Sequence, residues 1–366
     1  MKILIVGNLG YIGPSVVNQL RTTMPDAELV GFDIGYFAHC LSHAHYLPEA
    51  RLDAQHFGDI RHFPEHLLAG VDSVLNLAAI SNDPMGNEFE QVTMDVNYAA
   101  AVQLAQAARR QGVKSYVYAS SCSIYGAGGD GAKVESDALN PLTAYARSKV
   151  AAEVDLAALA SDLFVVTCLR FATATGFTSR VRLDLVLNDF VAGAIVNRRI
   201  DILSDGTPWR PLINTRDMAR AFEWAALRRA ECGGNFLAVN TGSSEWNVQI
   251  RDLAEAVARV LPGVEVNINR EASPDKRSYR VNFELFRKLA PDHQPLCGLD
   301  STIQELVEGF TGMELRDPRY LQSRFVRLQV LKELRDRAML DAALAWQSGF
   351  RHNRAQTNHL TLAASA

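Results

Sequence analysis

Cysteine is scarce and unpatterned in this chain. The five thiols (Cys40, Cys122, Cys168, Cys232 and Cys297) are dispersed over 366 residues, odd in number and never spaced as Cys-x-x-Cys. That excludes a disulfide framework and points to reduced thiols in a cytoplasmic protein. No carboxylate or thiol set with ligand spacing surrounds the histidine-rich stretch from His39 to His66, so no metal site is expected. No apolar run approaches the roughly 18 residues that a membrane-spanning helix needs. Positive charge is short as well. The 37 Lys and Arg are outnumbered by 41 Asp and Glu, giving a net charge of −4. The cations are scattered, so the field expected of a nucleic-acid partner is missing. The opening MKILIVGN enters a strand pattern at once, which argues against a secretory signal. A chain of this length implies one large or two medium domains.

What is present begins at residue 2. Lys2-Ile3-Leu4-Ile5-Val6 is a continuous apolar run, as for a strand buried on both faces of a parallel sheet. It runs into Gly7-x-x-Gly10-x-x-Gly13, and a helix pattern follows with Val16, Val17 and Leu20. Glycines there permit a tight turn and let the backbone approach a pyrophosphate, to which the helix N-terminus offers N–H groups. A second strand, Glu28 to Phe32, ends at Asp33, 20 residues beyond Gly13. A carboxylate at that point accepts hydrogen bonds from an adenosine ribose and repels a 2′-phosphate, so NAD is expected over NADP.

Strand and helix patterns then alternate. Gly58-Asp59-Ile60-Arg61 follows a strand end, Val71 to Ala79 is a buried strand, Asn97 to Gln111 an alanine-rich helix, and Lys114 to Ser121 a strand ending in hydroxyls. This order specifies a doubly wound parallel sheet, which binds ligands outside the carboxyl ends of its strands. Ser121 lies at such an end. The stretch Thr143-Ala144-Tyr145-Ala146-Arg147-Ser148-Lys149 sets a phenol and an ammonium one helical turn apart. Alone the pairing is common; beside Ser121 it forms a hydroxyl–phenol–ammonium cluster. An ammonium nearby stabilises phenolate, as does the positive charge of NAD⁺, so the Tyr145 pKa is expected to fall toward the working pH, making a general base for a sugar or alcohol hydroxyl.

With these residues in place the chain resembles the extended short-chain dehydrogenase/reductase family, the NAD-dependent nucleotide-sugar epimerases and dehydratases. The resemblance rests on Gly7-x-x-Gly10-x-x-Gly13, Asp33, Asp59-Ile60, Leu77-Ala78-Ala79, Asn97, Ser120-Ser121-x-x-x-Tyr125-Gly126 and Tyr145-x-x-x-Lys149. Leu169-Arg170-Phe171, Gly176 and Asp205-Gly206-Thr207-x-x-Arg210-Pro211 look like its substrate-side landmarks. It covers roughly residues 1 to 310 and, as an ordered set, is specific. It implies Ser121, Tyr145 and Lys149 as the catalytic triad, and an NAD site lined by Gly7, Gly10, Tyr11, Ile12, Gly13, Asp33, Asp59, Ile60, Leu77, Ala78, Ala79 and Asn97 with Tyr145 and Lys149. The implied architecture is α/β. A Rossmann-type domain over 1–171, with a returning segment near 211–241, precedes a smaller α/β substrate domain over 172–346 that includes helical C-terminal elements. The implied assembly is a homodimer.

On the substrate side the resemblance implies Arg210 on a nucleotide diphosphate; Arg277 is a second candidate nucleotide clamp, and Thr173 and Asn188 are further candidate substrate contacts. Ser81 and Asn82 follow a strand end and could touch the sugar. Arg180 and Arg182 either reach a phosphate or sugar carboxylate or form surface salt bridges with Asp184. Dehydratases of this family carry an Asp-Glu pair directly after the serine; this chain has Cys122 and Ser123 there. Cys122 is expected to be a packed thiol. Redox at one carbon remains: NAD-dependent epimerisation, most simply at C4 through a transient ketone, or alternatively reduction of a nucleotide 4-keto-6-deoxysugar by external NAD(P)H. From Arg316 to Trp346 the periodicity predicts amphipathic helix, and 347–366 reads as a frayed polar tail.

Overall fold

A computed structural model gives the architecture and describes residues 1–42, 44–127, 129, 131–272 and 278–347. Its centre is a seven-stranded sheet of β1 (Lys2–Val6), β2 (Glu28–Asp33), β3 (Ala54–Phe57), β4 (Ser73–Asn76), β5 (Ser115–Ser121), β6 (Val165–Phe171) and β7 (Phe236–Thr241). Their order is β7-β6-β5-β4-β1-β2-β3, and every pairing is parallel. Parallel strands are covered on both faces and so are apolar throughout. Ile3, Leu4 and Ile5 are wholly buried, and β6 is buried at every residue.

Helices fill both faces. One core joins the sheet to α1 (Gly13–Thr23) and to the helix Thr215–Leu227. The other joins it to Ala101–Arg110 and α2 (Ala144–Leu159). The chain winds outward from β1 to β3 and then restarts at β4 on the other side of β1. That reversal opens a crevice between the ends of β1 and β4, where an open α/β sheet takes its ligand. Register sets the loops side by side: Val6 pairs with Phe32 and with Asn76, Gly7 N donates to Phe32 O at 2.8 Å, and Leu77 N to Val6 O at 2.8 Å.

Beyond β6 a second core packs the helices Val186–Asn197, Ile250–Val260 and Leu299–Gly312 against the strands Arg199–Ile202 and Glu265–Ile268. A small sheet of Thr173–Thr175, Trp209–Asn214 and Asn247–Gln249 joins the two regions. The C-terminal segment departs from the expected long helix. It is helical only over α3 (Arg327–Asp336), after a single turn at Tyr320–Gln322. Ala338 and Leu344 then take left-handed backbone angles, φ 54° and 55°, and folded turns bring Leu340 and Leu344 into a satellite core with α3, Tyr36 and Phe89. A leucine repeat reports burial, and turns achieve that burial here as well as a helix would. The tail from residue 348 lies outside the described residues.

Candidate active site

The dinucleotide end is built from backbone first. Gly7 has φ +87°, and a Cβ on it would lie 2.5 Å from the Ala78 nitrogen. The turn and the close crossing of two loops therefore both require glycine. A Cβ on Gly13 would fall 1.9 Å from the Asn8 carbonyl oxygen. No side chain caps the N-terminus of α1, and Pro14 occupies its first turn, so the positive helix end faces the crevice. Asp33 accepts from Leu9 N at 3.0 Å and Gly35 N at 2.7 Å, one bond to each carboxylate oxygen, leaving a lone pair on each. Burial pushes its pKa up, against those two bonds. Asp59 accepts from Arg61 N at 2.9 Å and pairs with the Arg61 guanidinium. Gly10, Tyr11, Ile12, Ile60, Leu77, Ala78 and Ala79 line the same cavity. An approachable backbone, an uncapped helix end and an acceptor carboxylate fit a dinucleotide.

Two residues implied for ligand contact serve the protein instead. Asn97 is wholly buried. It accepts from Ile80 N at 2.8 Å and donates to Ile80 O at 3.0 Å, so it fixes the loop after β4 and does not line the cavity. Asn188 is also wholly buried. It donates to Tyr11 Oη at 3.0 Å and Arg182 O at 2.8 Å and accepts from Thr175 Oγ1 at 2.8 Å. Tyr11 in turn donates to Gly176 O at 2.5 Å, which ties the glycine loop to the second region.

At the end of β5, strand alternation separates Ser120 from Ser121. Ser120 donates to Glu153 Oε1 at 2.5 Å, while Ser121 lines the cavity and shares a hydrogen bond with Tyr145. Burial pushes the Tyr145 phenol up to about 12, against the Ser121 bond and the Arg182 charge. The protein groups alone therefore do not lower the phenol, because burial outweighs its stabilising neighbours. Lys149 is 1% exposed, donates to Ala119 O at 2.7 Å, and has its ammonium 4.5 Å from the Tyr118 ring centroid and 5.5 Å from that of Tyr145. Burial pushes it down to about 7. Thr143 caps α2 through Ala146 N and donates to Asp83 at 2.7 Å. Arg170, expected on the substrate side, is an internal strut paired with Glu153 at 2.7 Å. Cys122 is wholly buried and donates to Arg170 O.

The cavity, about 960 Å³, runs on into the second region. Ser81, Asn82, Thr173, Arg182 and Arg210 line it. Arg182 pairs with Asp184 at 2.8 Å and donates to Ser81 Oγ at 3.0 Å, and Asn82 donates to Asp184 at 2.9 Å. Arg180 lies elsewhere: it is 1% exposed and held by Glu49 at 2.6 and 3.0 Å, so its charge is spent inside the protein. Arg277 falls outside the described residues. Sequence reasoning placed Asp83 in the loop after a strand end without giving it a role, and it missed Asp189, Tyr320 and Arg327; all four line the cavity. Asp83 had a signal, standing next to Asn82 after a strand end. Arg327 had none, since arginines of an amphipathic stretch read as its wet face. Among the described residues no cluster of His, Cys, Asp and Glu could hold a metal, and no helix is long and apolar enough to cross a membrane.

A family model described as the NAD dependent epimerase/dehydratase family matches residues 3–242. An uncharacterized UDP-glucose epimerase of Bacillus subtilis is 27% identical over 67% of this chain and 78% of its own length. A dTDP-glucose 4,6-dehydratase of Streptomyces griseus is 26% identical over 82% of this chain and 92% of its own. The solved structure of MoeE5 in complex with UDP-glucose and NAD superposes with a TM-score of 0.70 at 24% identity, covering 85% of this chain and 99% of that one. Part of the present chain therefore has no counterpart there.

Proposed function

The chain belongs to the NAD-dependent epimerase/dehydratase family, and from that premise we propose that it is a nucleotide-sugar 4-epimerase that cycles a bound NAD. The observation that carries the reading is the meeting of Ser121, Tyr145 and Lys149 in one cavity with a glycine-rich dinucleotide cradle, with Cys122 and Ser123 where a dehydratase carries its acid pair. NAD, when bound, supplies a hydride acceptor and donor and a positive ring beside the phenol. With that positive charge favouring its ionised form, Tyr145 as phenolate would take the proton of the sugar C4 hydroxyl as that carbon is oxidised and return it when the ketone is reduced on its other face. Ser121 hydrogen-bonds the same oxygen and holds it in line. Lys149, in its protonated form, sets positive charge beside the phenol and would hold the nicotinamide ribose. Asp33 and Asp59 would meet the adenosine end. Ser81, Asn82, Thr173 and Arg182 would surround the sugar. Arg210 suits diphosphate oxygens through its planar fork. The chain would work as a homodimer through α2, whose Val154 is 64% exposed.

A second reading has one observation in its favour. Asp83 lines the cavity and acts electrostatically on Tyr145, so a carboxylate does stand near the triad and a dehydratase could draw on it. Purified protein incubated with UDP-, GDP-, CDP- and dTDP-sugars, with and without NADH or NADPH, is followed by mass spectrometry and NMR. Inversion at constant mass without added cofactor is the result expected of an epimerase. Loss of 18 mass units would establish the dehydratase. A gain of two hydrogens matched by consumed reduced cofactor would establish a reductase.

A further inference from the structure

The C-terminal helix carries one charge into the cavity that the protein leaves without a counterion. Arg327, on α3, lines the cavity and is 1% exposed. Its Nη2 donates to Arg180 O at 2.6 Å and its Nη1 to Arg324 O at 3.2 Å, and the guanidinium lies over the Phe37 ring, 4.9 Å from the centroid. Arg182, which shares this wall, is neutralised by Asp184, and two arginines outside the cavity are likewise paired, Arg61 with Asp59 and Arg180 with Glu49. Among the described residues no carboxylate forms an ion pair with Arg327. The carboxylate that acts on it electrostatically, Asp184, has both oxygens engaged by Arg182 and Asn82. A buried guanidinium without an anion is costly, so its retention points to an anion that arrives with a ligand.

The surroundings of α3 indicate which anion. Phe37, beneath the guanidinium, follows Asp33 by four residues. The chain beyond α3 folds back onto the loops that carry Asp33 and Asp59: Arg61 Nη1 donates to Ala343 O at 2.6 Å, Trp346 Nε1 to Ile34 O at 2.8 Å, and Tyr36 Oη to Leu344 O. The C-terminal segment is thus anchored at the adenosine end. Between that end and Tyr145 a dinucleotide carries its two phosphate charges, against which the N-terminus of α1 sets only about half a positive charge. We propose that Arg327 is an anion-binding residue whose ligand is the pyrophosphate of the bound dinucleotide. This rests on the reading that the cavity binds NAD.

The test is calorimetric binding on the full chain, freed of nucleotide, with ADP-ribose and with adenosine, the latter by displacement. A third arm adds UDP and the other nucleoside diphosphates to NAD-saturated protein. Arg327→Gln is expected to weaken ADP-ribose binding by roughly tenfold or more while leaving adenosine unchanged, as for loss of a charge-assisted bond to phosphate. Arg327→Lys, which keeps the charge without the fork, should weaken ADP-ribose by a smaller factor and serves alone if the glutamine variant does not fold. Unchanged ADP-ribose affinity in the folded variants overturns the proposal. So does an equal loss for ADP-ribose and adenosine, which marks a merely structural arginine. A loss confined to the nucleoside diphosphates also overturns it, by giving Arg327 to the substrate. If wild-type protein binds no ADP-ribose, the NAD reading itself has failed.

Discussion

Lys149 shows how little a residue's name says about its charge state. Its ammonium is enclosed by the Tyr118 and Tyr145 rings and meets a carbonyl, and burial brings it from 10.5 to about 7. The folded protein therefore binds fewer protons than the unfolded chain between those values, so stability rises with pH through that window. Below pH 7 the penalty for charging the buried amine is present in full. With nucleotide removed, wild type should gain about 1–2 kcal/mol over Lys149→Met between pH 7.0 and 8.5, at most about 1.4 kcal/mol per pH unit for one proton. Parallel urea curves for the two proteins across this range would show the lysine stays charged. Tyr145→Phe removes only the proton carrier, so turnover should fall by about a hundredfold or more while ADP-ribose binding is kept; near-normal turnover would sink the mechanism. The meeting of both residues with Ser121 in one cavity was legible from the Tyr-x-x-x-Lys spacing. Asn97, Asn188 and Arg180 were not legible as what they are. An amide or guanidinium in a motif can face a ligand or its own backbone, and only burial and partners distinguish the two.

Elements were legible where a strand covered on both faces is apolar throughout. Residues 3–6 are apolar without interruption and proved to be a central parallel strand, whereas the equally buried strand 165–171 carries Thr167 and Arg170 and gave no such signal. The segment after Arg316 was misread because its leucines satisfy a helical period while Ala338 and Leu344 turn the chain. Less visible still was the brace between elements. Glu153 of α2 accepts from Ser120 at the end of β5 and pairs with Arg170 of β6, and Arg170 reaches Tyr125 Oη at 3.1 Å. Since Glu153 sits one turn beyond Lys149, this brace fixes the pitch of α2 against the strand that presents Ser121. Both partners are about 5% exposed, so Glu153→Ala leaves a buried guanidinium unpaired. A loss of about 3–5 kcal/mol in chemical unfolding is expected. A loss below about 1 kcal/mol would mean that water takes over the role of the carboxylate.

At the scale of the molecule, one cavity spans two regions with separate cores, and its walls keep charges that folding alone would not favour. Asp189 is the clearest case in the second region. It lines the cavity, and its carboxylate accepts from Tyr320 Oη at 2.7 Å. Burial nevertheless raises its pKa from 3.8 to about 6, against that bond. For an acid with a raised folded pKa the sign is the reverse of the usual one. The folded state holds the proton between 3.8 and 6, so stability falls as pH rises through that window and stays lower at pH 7. Asp189→Asn keeps an acceptor for Tyr320 and removes the charge. It should stabilise the protein by about 1–3 kcal/mol at pH 7, with the difference shrinking toward pH 4, as a shift of about two units implies. A wall residue retained against stability is one on which selection for ligand binding acts. The same variant should therefore bind its nucleotide sugar more weakly while ADP-ribose affinity stays as in wild type. Unfolding curves at pH 4 and 7, paired with the two titrations, decide it. A destabilised variant would mean that the Tyr320 bond outweighs burial. A stabilised variant with unaltered sugar-nucleotide affinity would remove Asp189 from the site.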